Sequence, residues 1–221
     1  MTIWQITWFT LLTAGAATLV MLPPGVAIGW LLARRRFPGR VLLETIVSLP
    51  LVMPPVATGL LLLMLVAPAG PVGRLLARAG IEIVFTWKAV VIAMAVMGLP
   101  LVVRSVRAGV EQVDRRFEDV AATLGAPPLR VFLSITLPLA MPGILAGAVL
   151  GFARALGEFG ATIMVAGSIP GSTRTLAVAI YSFAETGRDD DALTLVGISG
   201  VIAFAALWFS NWLTARTGLR A

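Results

Sequence analysis

The chain has no cysteine and no histidine. A disulfide scaffold is therefore impossible, and zinc, haem and iron–sulfur clusters lose their ordinary ligands. A Ser-His-Asp triad is excluded too. Charge is scarce: 17 cations and 11 acids among 221 residues, only 13% charged, against 58% hydrophobic. Soluble domains carry about 25% charged residues, so a soluble fold of this size would leave apolar surface uncovered. Disorder fails for the same reason. The class left is an all-α integral membrane protein. The net charge of +6 sits between apolar runs rather than in one patch, which argues for cationic loops and against a nucleic-acid partner.

A helix needs about 20 residues to cross a ~30 Å hydrocarbon core. Five runs qualify: Ile6–Ala33, 45–67, Phe85–Val106 if Lys88 and Arg104 snorkel to the interfaces, Val131–Ala153 and Ala192–Ala215. Phe159–Thr173 is uncharged but short and rich in Gly and Pro, and reads as a re-entrant or interfacial segment, with a sixth span as the alternative. The first span is not expected to be a cleaved leader, because Arg34-Arg35-Arg36 follow it instead of preceding it. Arg34–Arg40, the 104–130 loop and the C-terminal tail together hold 11 of the 17 cations. The positive-inside rule then puts the N-terminus outside and the C-terminus in the cytoplasm.

Pro23-Pro24 and Pro54-Pro55 fall within spans, and each pair is expected to disturb its helix. Two readings stay open: packing kinks, or broken helices that mark a substrate path. No internal repeat supports an inverted-repeat secondary transporter. The loop 104–138 is the longest and most charged on the cytoplasmic side. Val110, Val113, Phe117, Val120, Ala121 and Leu124 recur at helical spacing, predicting a short amphipathic helix. Gly125 closes it in the C′ position and Pro127-Pro128 block continuation. Its apolar face needs cover from the membrane surface, another protein, or its own bundle.

Catalytic equipment is missing. The only lysine, Lys88, follows no glycine loop, so there is no P-loop. The Asp189-Asp190-Asp191 run reads as a solvated loop. Arg154 and Glu158, four apart, are expected on one helical face at the outer end of the fourth span. They form either a structural ion pair or a gate element. Gly157 and Gly160 allow close packing around them, leaving Phe159 where its ring could close a pore. Pro54 and Pro55 mark the candidate path, with Ser48, Thr58 and Thr162 as hydroxyl donors for a weakly held anion.

Asp119-Val120-Ala121-Ala122-Thr123-Leu124-Gly125, followed after nine residues by Ile135-Thr136-Leu137-Pro138, resembles the EAA loop of bacterial ABC importer permeases. Gly125, Ile135, Leu137 and Pro138 match that pattern in identity and spacing, and Ala121 matches its second alanine. Asp119 stands at the usual glutamate, Val120 replaces the first alanine, and the neighbouring Glu118 is an equal candidate for the acidic role. Three further stretches, Leu49–Pro55, Phe152–Thr162 and Ile169–Thr175, resemble the molybdate and sulfate branch, and the short chain favours molybdate.

The resemblance implies a single permease domain over 1–221 with its coupling loop at about 108–138, in the bacterial inner membrane. It implies a homodimer with two cytoplasmic ATPase subunits and a periplasmic or extracellular binding protein. ATP and Mg would sit on the ATPase, with no cofactor on this chain. Glu118, Asp119, Ala121, Ala122 and Gly125 would meet the ATPase, with Ile135, Leu137 and Pro138 completing the motif. The alternatives are a sulfate or tungstate permease of the same build, a secondary transporter, or a membrane scaffold protein.

Overall fold

The computed structural model describes residues 2–216, and every regular element among them is helical. The expected cytoplasmic tail beyond Arg216 lies outside the described residues. Helix α1 spans Ile3–Arg34 and opens with a reciprocal cap. Thr2 Oγ1 accepts from the Gln5 amide, and the Gln5 side chain accepts from the Thr2 amide. Contrary to expectation, α1 runs unbroken through Pro23-Pro24. Both rings lie exposed while Met21 and Gly25 on either side are buried, so contact with the bundle holds the helix where two amide donors are lost.

Pro54-Pro55 act differently. Helix α2 (Arg40–Val52) ends there, and α3 (Pro55–Val66) leaves at 115°. Met53 and Pro54 both precede a proline and are pushed into extended backbone, while Pro55 opens α3 at a position needing no donor. The span expected over 45–67 is thus a bent pair, disturbed at Pro54-Pro55 as the proline pair predicts. The span expected over Val131–Ala153 is likewise bent by 69°, between Pro128–Leu139 and Met141–Leu156.

Helix α4 (Pro71–Arg78) follows α3, and α5 (Trp87–Gln112) forms the centre of the bundle, buried on most of its length. Then come α6 (Arg115–Thr123), α7 (Pro128–Val131), a π-helical turn at Phe132–Thr136, and α8 (Leu137–Leu139). Helices α9 (Met141–Leu156), α10 (Gly160–Ala166), α11 (Leu176–Glu185) and α12 (Asp189–Arg216) complete the order. Helices α1, α5 and α12 are long and apolar enough to cross a membrane, and counting each bent pair as one span gives up to five.

The alternative sixth span is too short: α10 has seven residues, about 10 Å of rise, and it packs inside against α3 and α5. Asp189–Asp191 are not loop. They form the first turn of α12, where acids complement the helix dipole, and Arg188 pairs with Asp191 at 2.6 Å.

In lipid, helices associate through close packing and interhelical hydrogen bonds more than through burial from water. The crossing of α5 and α9 shows both. Gly109 and Gly143 bring the backbones together so closely that a Cβ on Gly143 would stand 2.6 Å from the Gly109 Cα. Beside them, Ser105 Oγ donates to the Gly143 carbonyl at 2.9 Å.

Candidate functional site

Two regions carry the candidate residues. The first is α6 and the chain that returns from it. Helix α5 ends at Gln112, and Asp114 starts a new helix, its Oδ1 accepting from the Arg116 amide at 2.9 Å. The expected amphipathic helix is therefore shorter than its apolar pattern: Val110 and Val113 belong to the end of α5 and are buried there. The closure is as expected. Gly125 has φ +83°, its amide bonds the Ala122 carbonyl, and the Ala126 amide bonds the Ala121 carbonyl, the paired bonds of a Schellman end.

The apolar face of α6 is uncovered. Phe117, Val120 and Leu124 are 58%, 59% and 83% exposed, so of the three possible covers their own bundle drops out. Ala122 and Gly125 lie exposed beside them and Ala121 is half-buried.

The back of the helix is fastened. Glu118 Oε1 accepts from Arg34 Nε at 3.1 Å and from Thr136 Oγ1 at 2.6 Å, while another Arg34 nitrogen donates to the Val113 carbonyl at 2.8 Å. One carboxylate thus ties α6 to the end of α1 and to the π turn. Asp119 is exposed, and among the described residues it forms no such bond. The two neighbouring acids, interchangeable in sequence, are separated in space.

Ile135, Leu137 and Pro138 lie apart from α6, on the π turn and α8. Pro138 has no amide proton to offer the carbonyl one turn back, and the ladder widens there, the Leu137 amide bonding the Phe132 carbonyl. Arg34 and Thr136 are the partners that sequence reasoning missed. No local pattern joins Arg34 to a carboxylate 84 residues away.

The second region is the seam between α3 and α10. Gly59 meets Ala161 and Met164, and Gly160 meets Pro55, at separations where a Cβ would clash, 2.7 Å for Gly59 against the Ala161 Cα. This brings Pro55, Thr58 and Thr162 onto one seam. Thr58 is 6% and Thr162 0% exposed, and among the described residues neither Oγ1 has a hydrogen-bond partner. Ser48 is not with them: it sits on α2, where Arg104 donates to it at 3.4 Å. Pro54 is exposed at the α2–α3 break.

Glu158 lies beyond the end of α9, in the turn to α10, rather than on the helical face expected for it. It is 1% exposed; Oε2 pairs with Arg154 at 2.8 Å and Oε1 accepts from the Ala161 amide at 2.7 Å. The carboxylate therefore caps α10 as well as pairing with Arg154. Phe159 is half-buried, its ring 4.9 Å from that of Tyr181 on α11.

Comparison with known proteins gives these features a family. Residues 25–217 match the family described as binding-protein-dependent transport system inner membrane component. The Molybdenum transport system permease protein ModB of Escherichia coli K12 is 46% identical over 220 residues, 99% of this chain and 96% of that protein. The Sulfate transport system permease protein CysT of Salmonella typhimurium is more distant, 35% identical over 96% of this chain and 76% of that one. Among solved structures, a bacterial alginate ABC transporter in complex with an alginate-bound periplasmic protein contains a chain of the same fold. Its TM-score is 0.73 at 20% identity, covering 98% of this chain and 80% of that chain. With apolar helices fit to cross a membrane and a near-full-length match to the family, the chain belongs to the inner membrane components of binding-protein-dependent transport systems.

Proposed function

We propose that this chain is the membrane-spanning permease of an ATP-driven importer of molybdate, passing the ion from an external binding protein across the membrane by alternating access. The near-full-length likeness to a molybdenum permease supports the substrate, and the greater distance of the sulfate permease sets that ion second. Two copies pair around one path, two cytoplasmic ATPase subunits supply the energy, and ATP and Mg bind there rather than on this chain. Membrane lipid covers the rest.

One observation carries the mechanism: α6 presents an uncovered apolar face while its back is fastened to the bundle by Glu118. A helix so held can receive a push on Phe117, Val120 and Leu124 and deliver it to α1 and the π turn together. Ala121, Ala122 and Gly125 keep the contact surface low, so that an ATPase groove closes around it. Asp119 supplies charge at the rim of this contact, and Glu118 is the internal fastener. At the seam, the Thr58 and Thr162 hydroxyls serve as weak donors to the passing anion, and the Arg154–Glu158 pair holds α10 in place.

The test is reconstitution of the permease with its ATPase in vesicles, supplied with the binding protein. Molybdate uptake should need ATP and ignore proton or sodium gradients; gradient-driven uptake without ATP would make it a secondary transporter. If no ATPase associates with the chain and no uptake occurs, a scaffold role replaces transport. Gly125→Asp should abolish uptake and ATPase association at near-normal permease levels. For orientation, cysteines at Gly39 and Pro128 should resist an impermeant thiol reagent in intact cells while one at Ala69 reacts. Labelling at Gly39 from outside would invert the topology.

A further inference from the structure

An apolar groove of about 680 Å³ opens between the second half of α1 and the chain returning from α6, with Ala27 and Trp30 on one wall and Leu129 and Phe132 on the other. Along α1 it reaches from Leu22 to Leu31, about 13 Å at 1.5 Å per residue. That is close to the depth of one leaflet, half of a ~30 Å core. At its end Trp30 and Phe132 meet edge to face, 5.5 Å between centroids.

The same two rings and Pro128 also line a second cleft, of about 330 Å³, whose wall is charged. There Arg34 and Glu118 satisfy each other. Among the described residues, the Arg35 guanidinium has the Trp30 ring 6.0 Å away and no ion pair, and Arg115 forms no ion pair either. Asp119 is the one acid in the cleft outside the Arg34–Glu118 pair. Two guanidinium groups against one carboxylate leave a cationic end on an apolar groove one leaflet deep.

We propose that groove and cleft together hold one anionic phospholipid, an acyl chain along α1 and the phosphate between Arg35 and Arg115. The groove walls are overwhelmingly apolar, with the Trp30 indole as the one polar side chain on them, which suits an acyl chain better than a peptide backbone that needs a partner for every amide and carbonyl. The lipid would touch α1 and the returning segment of the α6 loop at once, so its occupancy stiffens the very connection that Glu118 makes. The inference rests on reading α1 as a membrane span, and is independent of the transported ion and of which side faces the cytoplasm.

The purified permease–ATPase complex is placed in nanodiscs of phosphatidylcholine doped with phosphatidylglycerol, and retained lipid is read by native mass spectrometry. One phosphatidylglycerol should remain per permease chain, in preference to phosphatidylcholine. Each cationic side chain near an anionic headgroup is worth about fivefold in affinity, so Arg35→Gln with Arg115→Gln should weaken retention about thirtyfold. Ala27→Trp, which fills the groove from an exposed position, should abolish retention, while Leu19→Trp, on lipid-facing surface outside it, should not.

Equal retention of the two lipids overturns the proposal. So does an equal loss from Arg36→Gln with Arg40→Gln, which would make the effect general surface charge. A photo-crosslinker at Ala27 that captures a second copy or a peptide instead of lipid overturns it as well. Lost lipid preference with ATP-driven uptake intact would sink this inference alone; lost uptake with preference intact would touch only the transport reading.

Discussion

At α6, small residues leave surface open; at the α3–α10 seam they remove it. A Cβ on Gly125 would meet nothing within 4 Å, and the glycine is there for its φ of +83°. A Cβ on Gly59 would strike the neighbouring helix, and that glycine is there for space. Around the first, apolar side chains stand uncovered; around the second, two hydroxyls are sealed in without partners. A helix fixed at its back with a bare front keeps apolar surface that its own bundle does not cover. A close-packed seam holding unpaired polar groups is under-satisfied in this arrangement, each group costing about 1–3 kcal/mol, and gains from any arrangement that gives those groups a partner.

The sharpest way to break this contrast is to add bulk at the seam. Gly59→Leu should destabilise the permease by about 3 kcal/mol or more through overpacking against backbone, read as a fall in the melting temperature of the purified chain. An unchanged melting temperature would mean that α3 and α10 are not pressed together. Next comes the fastening of α6. Arg34→Ala should cost about 2 kcal/mol, the worth of hydrogen bonds to charged groups. It should loosen α6 selectively, seen as faster amide exchange over 115–123 with little change in α5.

Glu158 divides into two functions that single substitutions can separate. Glu158→Gln keeps an oxygen for the Ala161 amide and loses the charge; Glu158→Ala loses both. If the cap dominates, the glutamine variant should melt within about 1 kcal/mol of the parent and the alanine variant well below it. Exchanging Arg154 and Glu158 cannot restore the parent, because arginine offers no acceptor to Ala161.

Smaller effects sharpen the comparison. Thr58→Val and Thr162→Val should each stabilise the chain by about 1 kcal/mol, since an unpaired buried hydroxyl is removed without changing shape. Uptake should fall at the same time if those hydroxyls serve the anion. Stability that rises with uptake unchanged would leave them without a role in the path. Last, Gly125→Ala should cost about 1 kcal/mol from backbone strain alone, visible as exchange at the α6 terminus and nowhere else.

Much of this was legible in the sequence, where the signal was local. Uncharged length located α1 and α12, a run charged only near its ends at Lys88 and Arg104 located α5, and the Gly125 closure followed from one glycine and two prolines. The α5 end was not legible: Arg104 and Arg107 looked like the start of a loop, yet the helix continues to Gln112, with Arg107 paired to Glu44 and Glu111. Apolar spacing also ran across a helix break, because Val110 and Val113 keep the period of α6 while belonging to α5. Asp114 as a capping residue was the signal that separated them. Proline pairs alone could not distinguish α1, which stays one helix against the bundle, from the α2–α3 bend. The site's long-range bonds, Arg34 to Glu118 and Glu118 to Thr136, exist only through the fold.

The crossing of α5 and α9 has a mechanical consequence. With glycine on both sides at Gly109 and Gly143, backbone meets backbone there, and Ser105 Oγ bonded to the Gly143 carbonyl pins the contact. Drawing them apart there would break a hydrogen bond and open a void. Turning one against the other would part further close approaches, where Gly147 meets Ser105 and Val102 and Gly98 meets the Gly151 carbonyl. The pair is stitched at several points, and whatever strokes the permease makes, these two helices should travel as one piece.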